Sequence, residues 1–144
     1  MAEAPLSAIH RLPSWILGRA AARGRALVAQ ALAAEGMRMW HHVVLVAVRD
    51  LGPIAQADLG RSVGLDPKDV VGVLNDLQSA GHVVREPDPK DRRKNAVSLT
   101  EEGARLLKRC EKAACEANDA LLAPLTAAER RQFMDLLGRI SGTE

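Results

Sequence analysis

Lys90, Arg92, Arg93 and Lys94 lie together behind Pro87, Asp88 and Pro89, with Asp91 inside the basic run. A guanidinium keeps its charge at any physiological pH and fits a narrow, electronegative minor groove, so this stretch has the chemistry to grip duplex DNA. Asp91 is placed to orient the tip by pairing with an arginine. A solvated charged turn is the alternative, and the neighbouring segments decide between the two. Asp66, Lys68 and Asn75 fall on one helical segment and suit base edges and phosphates; Gln56 and Arg61, on the segment before it, suit phosphates.

A second chemistry is suggested by the tryptophans. Trp15 and Arg19 are four apart on one helical face, and Trp40, His41 and His42 open a later segment. Aromatic walls beside a cation suit an amphipathic anion such as an aromatic carboxylate or a phenol, a small-molecule effector. The competing reading is that both tryptophans plug a helical core with almost no other aromatic residue. The histidines, His10, His41, His42 and His82, invite a zinc site. Adjacent helical residues diverge by about 100°, however, so His41 and His42 do not clamp one ion together, and no metal is expected. Cys110 and Cys115 are five apart on a helix and point about 140° away from each other. They fit no zinc or redox spacing and are expected as reduced thiols, Cys110 on the apolar stripe. No nucleophile elbow, phosphate-binding loop or dinucleotide fingerprint occurs, so neither an enzyme nor a cofactor is expected.

The elements that must position these residues follow from composition and periodicity. A chain of 144 residues suits a single domain. Alanine occurs 24 times, tyrosine never and phenylalanine once, a balance that favours helix over sheet. The longest apolar run, residues 43–48, is far short of the roughly 20 needed to cross a bilayer. Glu3, His10, Arg11 and Pro13 interrupt any signal-peptide core, so a cytoplasmic protein without a membrane partner is expected. The formal charge of +2 does not by itself indicate a nucleic-acid partner. Its distribution is more telling, with one basic cluster at Arg19, Arg23 and Arg25 and the other in the loop after Pro87.

Ser14 reads as the N-cap of a helix reaching Ala34 and ended by Gly36. Residues 40–51 are apolar on nearly all sides, a central buried helix stopped by Gly52 and Pro53. Residues 56–63 form a short helix with Gly64 as the turn, and Asp66 with Pro67 opens the next, whose apolar positions are Val70, Val73, Leu74 and Leu77. Two helices joined by a few residues containing glycine make a helix-turn-helix. Residues 82–86 pair with 96–99 as a hairpin, so the basic run becomes the tip of a two-stranded wing. Thr100 caps a long helix with a stripe through Gly103, Leu107, Cys110, Ala114, Ala117 and Leu121. Thr126 and Glu129 form a capping box for the last, with Phe133, Leu136, Leu137 and Ile140 as its apolar face.

Over residues 13–141 the sequence resembles the MarR family of transcriptional regulators. The resemblance is carried by Leu51-Gly-Pro-Ile-Ala-Gln-Ala-Asp-Leu59, Leu65-Asp-Pro, Leu74-Asn-Asp-Leu77 and Ala80-Gly-His-Val83, then by Asp88-Pro-Lys-Asp-Arg-Arg93 running into Val97-Ser-Leu-Thr-Glu-Glu-Gly103. It implies a mainly α fold, a winged helix-turn-helix with long N- and C-terminal dimerisation helices: a head over 38–100 and dimer helices over 5–37 and 101–144. It also implies a homodimeric repressor on a near-palindromic operator, the second helix in the major groove and the wing in the minor groove. A small-molecule pocket between dimer helices and head is a further implication. Val71 and Gly72 replace the family's usual small hydroxyl and long basic residue, so base reading is expected to rest on fewer side chains. A ligand-independent DNA-binding or protein-interaction module is the alternative function.

Overall fold

The computed structural model describes residues 7–142. The chain runs through helices α1 (Ser7–His10), α2 (Pro13–Ala34) and α3 (Met39–Leu51), strand β1 (Ile54–Ala55), helices α4 (Gln56–Val63) and α5 (Pro67–Ser79), strands β2 (Val83–Pro87) and β3 (Asn95–Leu99), and helices α6 (Glu101–Leu121) and α7 (Ala127–Ser141). Contacts divide it into two compact units, residues 29–114 and the two terminal stretches, up to Val28 and from Cys115.

The 29–114 unit is built on an apolar core. Leu45 of α3, Leu59 of α4, Leu74 of α5, Val97 of β3 and Leu107 of α6 are all fully buried, and no polar or charged side chain is buried among the described residues. Gly64 closes α4 in the left-handed conformation (φ 73°), which a glycine adopts without a Cβ clash. Asp66 then caps α5, its carboxylate accepting from the Lys68 amide at 2.9 Å, with Pro67 at the first helical position. The wing hairpin pairs Val83 with Leu99 and Arg85 with Val97. A third strand joins it, because β1 pairs antiparallel with the other edge of β3, Ile54 opposite Val97. The sequence reading contains only the two strands of the wing.

The start of α6 is strapped to the end of the helix-turn-helix. Thr100 Oγ1 donates to the Gly81 carbonyl at 2.6 Å and accepts from the Gly103 amide at 3.0 Å. The Thr100 amide donates to the His82 carbonyl at 3.1 Å. Gly103 is buried directly beneath this strap. A methyl group at its α-carbon would sit inside van der Waals contact of the His82 carbonyl oxygen and 2.8 Å from Leu99 Cδ1.

In the terminal unit α2 starts at Pro13 rather than after Ser14. The Leu12 carbonyl accepts from the Trp15 and Ile16 amides, both at 3.1 Å, so Ser14 lies inside the first turn and caps nothing. Proline fits the opening position because it has no amide to leave unpaired there. The expected capping box is present on α7: the Glu129 amide donates to Thr126 Oγ1 at 3.2 Å and the Thr126 amide to Glu129 Oε1 at 2.9 Å. This unit leaves much apolar surface open, with Ile16 54%, Met134 57% and Ile140 67% exposed.

Candidate nucleic-acid interface

Helix α5 buries Val70, Val73, Leu74 and Leu77 along one face. At 3.6 residues per turn, Lys68, Gly72 and Asn75 therefore project from the opposite face, with Val71 and Gln78 along its flank. All five are exposed. Gly72 has no heavy atom within 4 Å of where a Cβ would stand. Arg85 on β2 reaches back to this helix, its Nε donating to Gln78 Oε1 and its Nη2 to Asn75 Oδ1, both at 2.6 Å. The reading of the sequence misses Gln78 and Arg85. Arg85 is seven residues from Gln78 and ten from Asn75, across the turn between α5 and β2, and no periodicity announces such a contact.

Each remaining candidate has a definite place. Asp66 is occupied as the cap of α5. Arg61 is exposed and paired with Asp58 on the same helix. Gln56 opens α4 half-buried, its Oε1 without a partner. It lines, with Arg61, Pro67 and Val71, a concavity of about 230 Å³.

At the wing tip the Asp88 amide donates to the Lys94 carbonyl at 2.8 Å, and the Asp88 carboxylate accepts from the Lys90 amide at 2.8 Å. Asp91 accepts from Arg93 three times: from its amide and Nε at 3.1 Å and from Nη2 at 3.3 Å. The Arg93 side chain is nevertheless 90% exposed. Arg93 holds the Asp91 carboxyl below its ordinary pKa, with help from the nearby Lys94 charge. The side chains of Lys90, Arg92 and Lys94 project outward. The tip thus combines a neutralised internal pair with free cations.

The candidate ligand residues fall into separate groups. Trp15 and Arg19 line a concavity of about 520 Å³ in the terminal unit, with Arg23, Leu121, Leu122 and Phe133, and the His10 ring lies 5.1 Å from that of Trp15. Trp40 and His41 line one of about 470 Å³ in the 29–114 unit, with Arg38, Lys68, Asp69 and Asp76. There the Asp76 carboxylate meets His41 Nε2 at 2.9 Å and Arg38 Nη2 at 3.3 Å.

His42 lines neither hollow. Burial pushes its pKa below 6.5, Glu111 of α6 pulls it up and Arg49 pushes it down. Arg49 and Glu111 are themselves ion-paired across α3 and α6. Since the unfolded chain protonates His42 more readily, its contribution to stability is intact above pH 6.5 and is lost as pH falls below that value. The urea midpoint should therefore drop as the buffer is taken from about pH 7.5 to about pH 5, and less steeply in His42→Gln. Equal slopes for the two proteins would clear His42 of that role.

A short helix, a glycine turn, an exposed second helix and a hairpin with a basic tip define a winged helix-turn-helix. Comparison with known proteins narrows the class. The family model described as MarR family matches residues 35–94. The HTH-type transcriptional repressor Rv2887 of Mycobacterium tuberculosis is 30% identical over 126 residues, which is 88% of this chain and 91% of the relative. The solved complex of that MarR family protein with DNA superposes with a TM-score of 0.75 at 29% identity, covering 90% of this chain and 97% of the other. The chain belongs to the MarR family.

The repressor NicR of Pseudomonas putida is 37% identical over 98 residues, 68% of this chain, and the chain spans only 62% of NicR's length. Bordetella bronchiseptica BpsR, whose DNA binding is regulated by 6-hydroxynicotinic acid, superposes with a TM-score of 0.71 at 28% identity, covering 94% of this chain and 96% of that one.

Proposed function

We propose that this protein is a sequence-specific transcriptional repressor that binds duplex DNA as a homodimer in the cytoplasm and is released by a small anionic aromatic ligand. The observation that carries the reading is the outward face of α5 beside a wing whose Arg92 and Arg93 are exposed. Lys68 and Asn75 meet base edges, Gln56, Arg61 and the Asp66 end of α5 approach phosphates, and Lys90, Arg92, Arg93 and Lys94 enter or flank the minor groove. No catalytic step is assigned. Among the described residues no helix is long and apolar enough to cross a membrane.

Residues 38–100 serve as the reading head. The stretches 5–37 and 101–144 make the dimer, although residues 5, 6, 143 and 144 lie outside the described residues. Exposed Ile16, Met134 and Ile140 support this, since obligate interfaces bury roughly 2,000 Å² or more of largely apolar surface. Trp15 and Arg19 offer an aromatic wall and a cation to a carboxylate; Trp40 and His41 line the second candidate hollow, with His42 next in the chain but outside it.

Selection from genomic fragments should return near-palindromic sites with half-sites about one helical turn apart, and light scattering at micromolar concentration should give twice the chain mass. Failure to select any sequence, or a monomer mass, overturns the reading. Aromatic carboxylates that quench tryptophan fluorescence should weaken operator binding, and Arg19→Ala should blunt both effects. Quenching without loss of operator affinity would remove the regulatory role of the hollow.

A further inference from the structure

We propose that Arg85 is a positioning residue that decides which bases α5 reads, by clamping the amides of Asn75 and Gln78 with their NH₂ groups turned outward as donors. The proposal rests on the DNA-binding reading above. Arg85 is half-buried on β2 while Asn75 and Gln78 are exposed, and the fork of its guanidinium spans them with two bonds of 2.6 Å.

The direction of these bonds fixes the chemistry. A guanidinium carries donors and no acceptor, so each amide must give Arg85 its oxygen. An unrestrained amide turns about a broad, roughly two-fold torsion and presents either end to a partner. Here the oxygen end is held by a charge-assisted bond, the stronger kind, and the cation repels the NH₂ end toward solvent. Polarisation by the neighbouring positive charge also strengthens that NH₂ as a donor. Val71 and Gly72 have no hydrogen-bonding side chain to add, so the polar readers on this side of α5 reduce to Lys68, the two clamped amides and the Ser79 hydroxyl at the end of the helix.

A row of outward donors selects against some bases. Adenine is recognised by an amide that accepts from N6 while donating to N7, and cytosine offers a donor at N4. Both need an acceptor aimed outward, and the amide oxygens are turned toward Arg85 instead. Guanine presents O6 and N7 and thymine presents O4, all acceptors. Asn75 and Gln78, three residues apart on one side of the helix, should therefore favour guanine or thymine at neighbouring base pairs and disfavour cytosine.

The test is selection from duplexes with a randomised centre, using the full chain, followed by affinities for the chosen site and its single-base variants. Wild type should select guanine or thymine at two adjacent positions of each half-site. Asn75→Asp still accepts from Arg85 but has no donor. One of the two positions should then change its preference toward cytosine, with the ratio of affinities for the two bases moving by about fivefold or more. Arg85→Ala releases both amides and should relax both positions. Arg85→Lys keeps the charge but lacks the fork, so it should relax them too, with an unchanged salt dependence. A clamp that merely stabilised the fold would lower the urea midpoint and leave base preference alone, which overturns the proposal. Uniform weakening on every sequence by Asn75→Asp and Arg85→Ala, with wild-type preferences kept, overturns it as well. If wild type selects no sequence at all, the DNA-binding reading itself falls, and this proposal with it.

Discussion

Gly103→Ala should destabilise the protein by about 3 kcal/mol, seen as a lower urea midpoint with little change in slope. The added methyl group has nowhere to go. On one side is the His82 carbonyl oxygen, which already accepts from the Thr100 amide, and on the other is Leu99 Cδ1. Leu99 can change rotamer, but His82 is backbone held by the strap from Thr100 Oγ1 to the Gly81 carbonyl. Relief therefore requires α6 to lift from the end of the helix-turn-helix, exposing Leu106 and Leu107. Gly72→Ala is the matched control, since a methyl group there meets nothing within 4 Å. It should raise stability by about 0.5–1 kcal/mol through helix propensity alone. If the two alanines act alike, the close approach at Gly103 is not what holds α6.

Removing the wing cations should have the largest effect on DNA binding. Arg92→Ala combined with Arg93→Ala should reduce the salt slope of log K by about 2 and weaken binding by about 10- to 100-fold at physiological salt, on every sequence tested. The two arginines are not equivalent. Arg92 contributes only its charge, so its removal should subtract about 1 from the slope. Arg93 also neutralises Asp91, whose pKa it depresses. Without it an ionised carboxylate is left facing the phosphates, and Arg93→Ala should cost more than Arg92→Ala. Adding Asp91→Asn to Arg93→Ala should recover the difference. An unchanged slope in the double variant would place the wing away from DNA.

What was legible in the sequence was what local chemistry dictates. Asp66, Pro67 and the spacing of Val70, Val73, Leu74 and Leu77 specify α5 within a few residues, and Thr126 with Glu129 specifies the start of α7. The basic tip could be read because proline, aspartate and charge mark a turn wherever they cluster. Two of the three differences, β1 and Arg85, share a cause, which is distance along the chain. β1 has only Ile54 and Ala55, too short for any alternation, and is a strand only because β3 lies beside it. At the start of α2 the difference is local: proline and serine in succession offer two starts, and the backbone bonds of Leu12 settle the choice. Of the candidate site, Lys68, Asn75 and the wing cations were placed by type and position. Arg85 reads in sequence only as part of a strand, although its guanidinium bonds two of the exposed side chains of α5.

Gly72 leaves an empty place in the middle of the outward face of α5. Every glycine codon is a single nucleotide change from an arginine codon, and a Cβ placed there meets no heavy atom within 4 Å. On the proposed reading of α5 as the helix that meets bases, a point mutation would add a cation to that face while improving helix propensity. Most changes of DNA specificity must first survive their own damage to the fold; at this position the first atom of a new side chain meets open space. In a lineage carrying such a gap, operator preference is free to diverge faster than the architecture that supports it, and paralogues descended from this chain would be expected to differ first at residue 72.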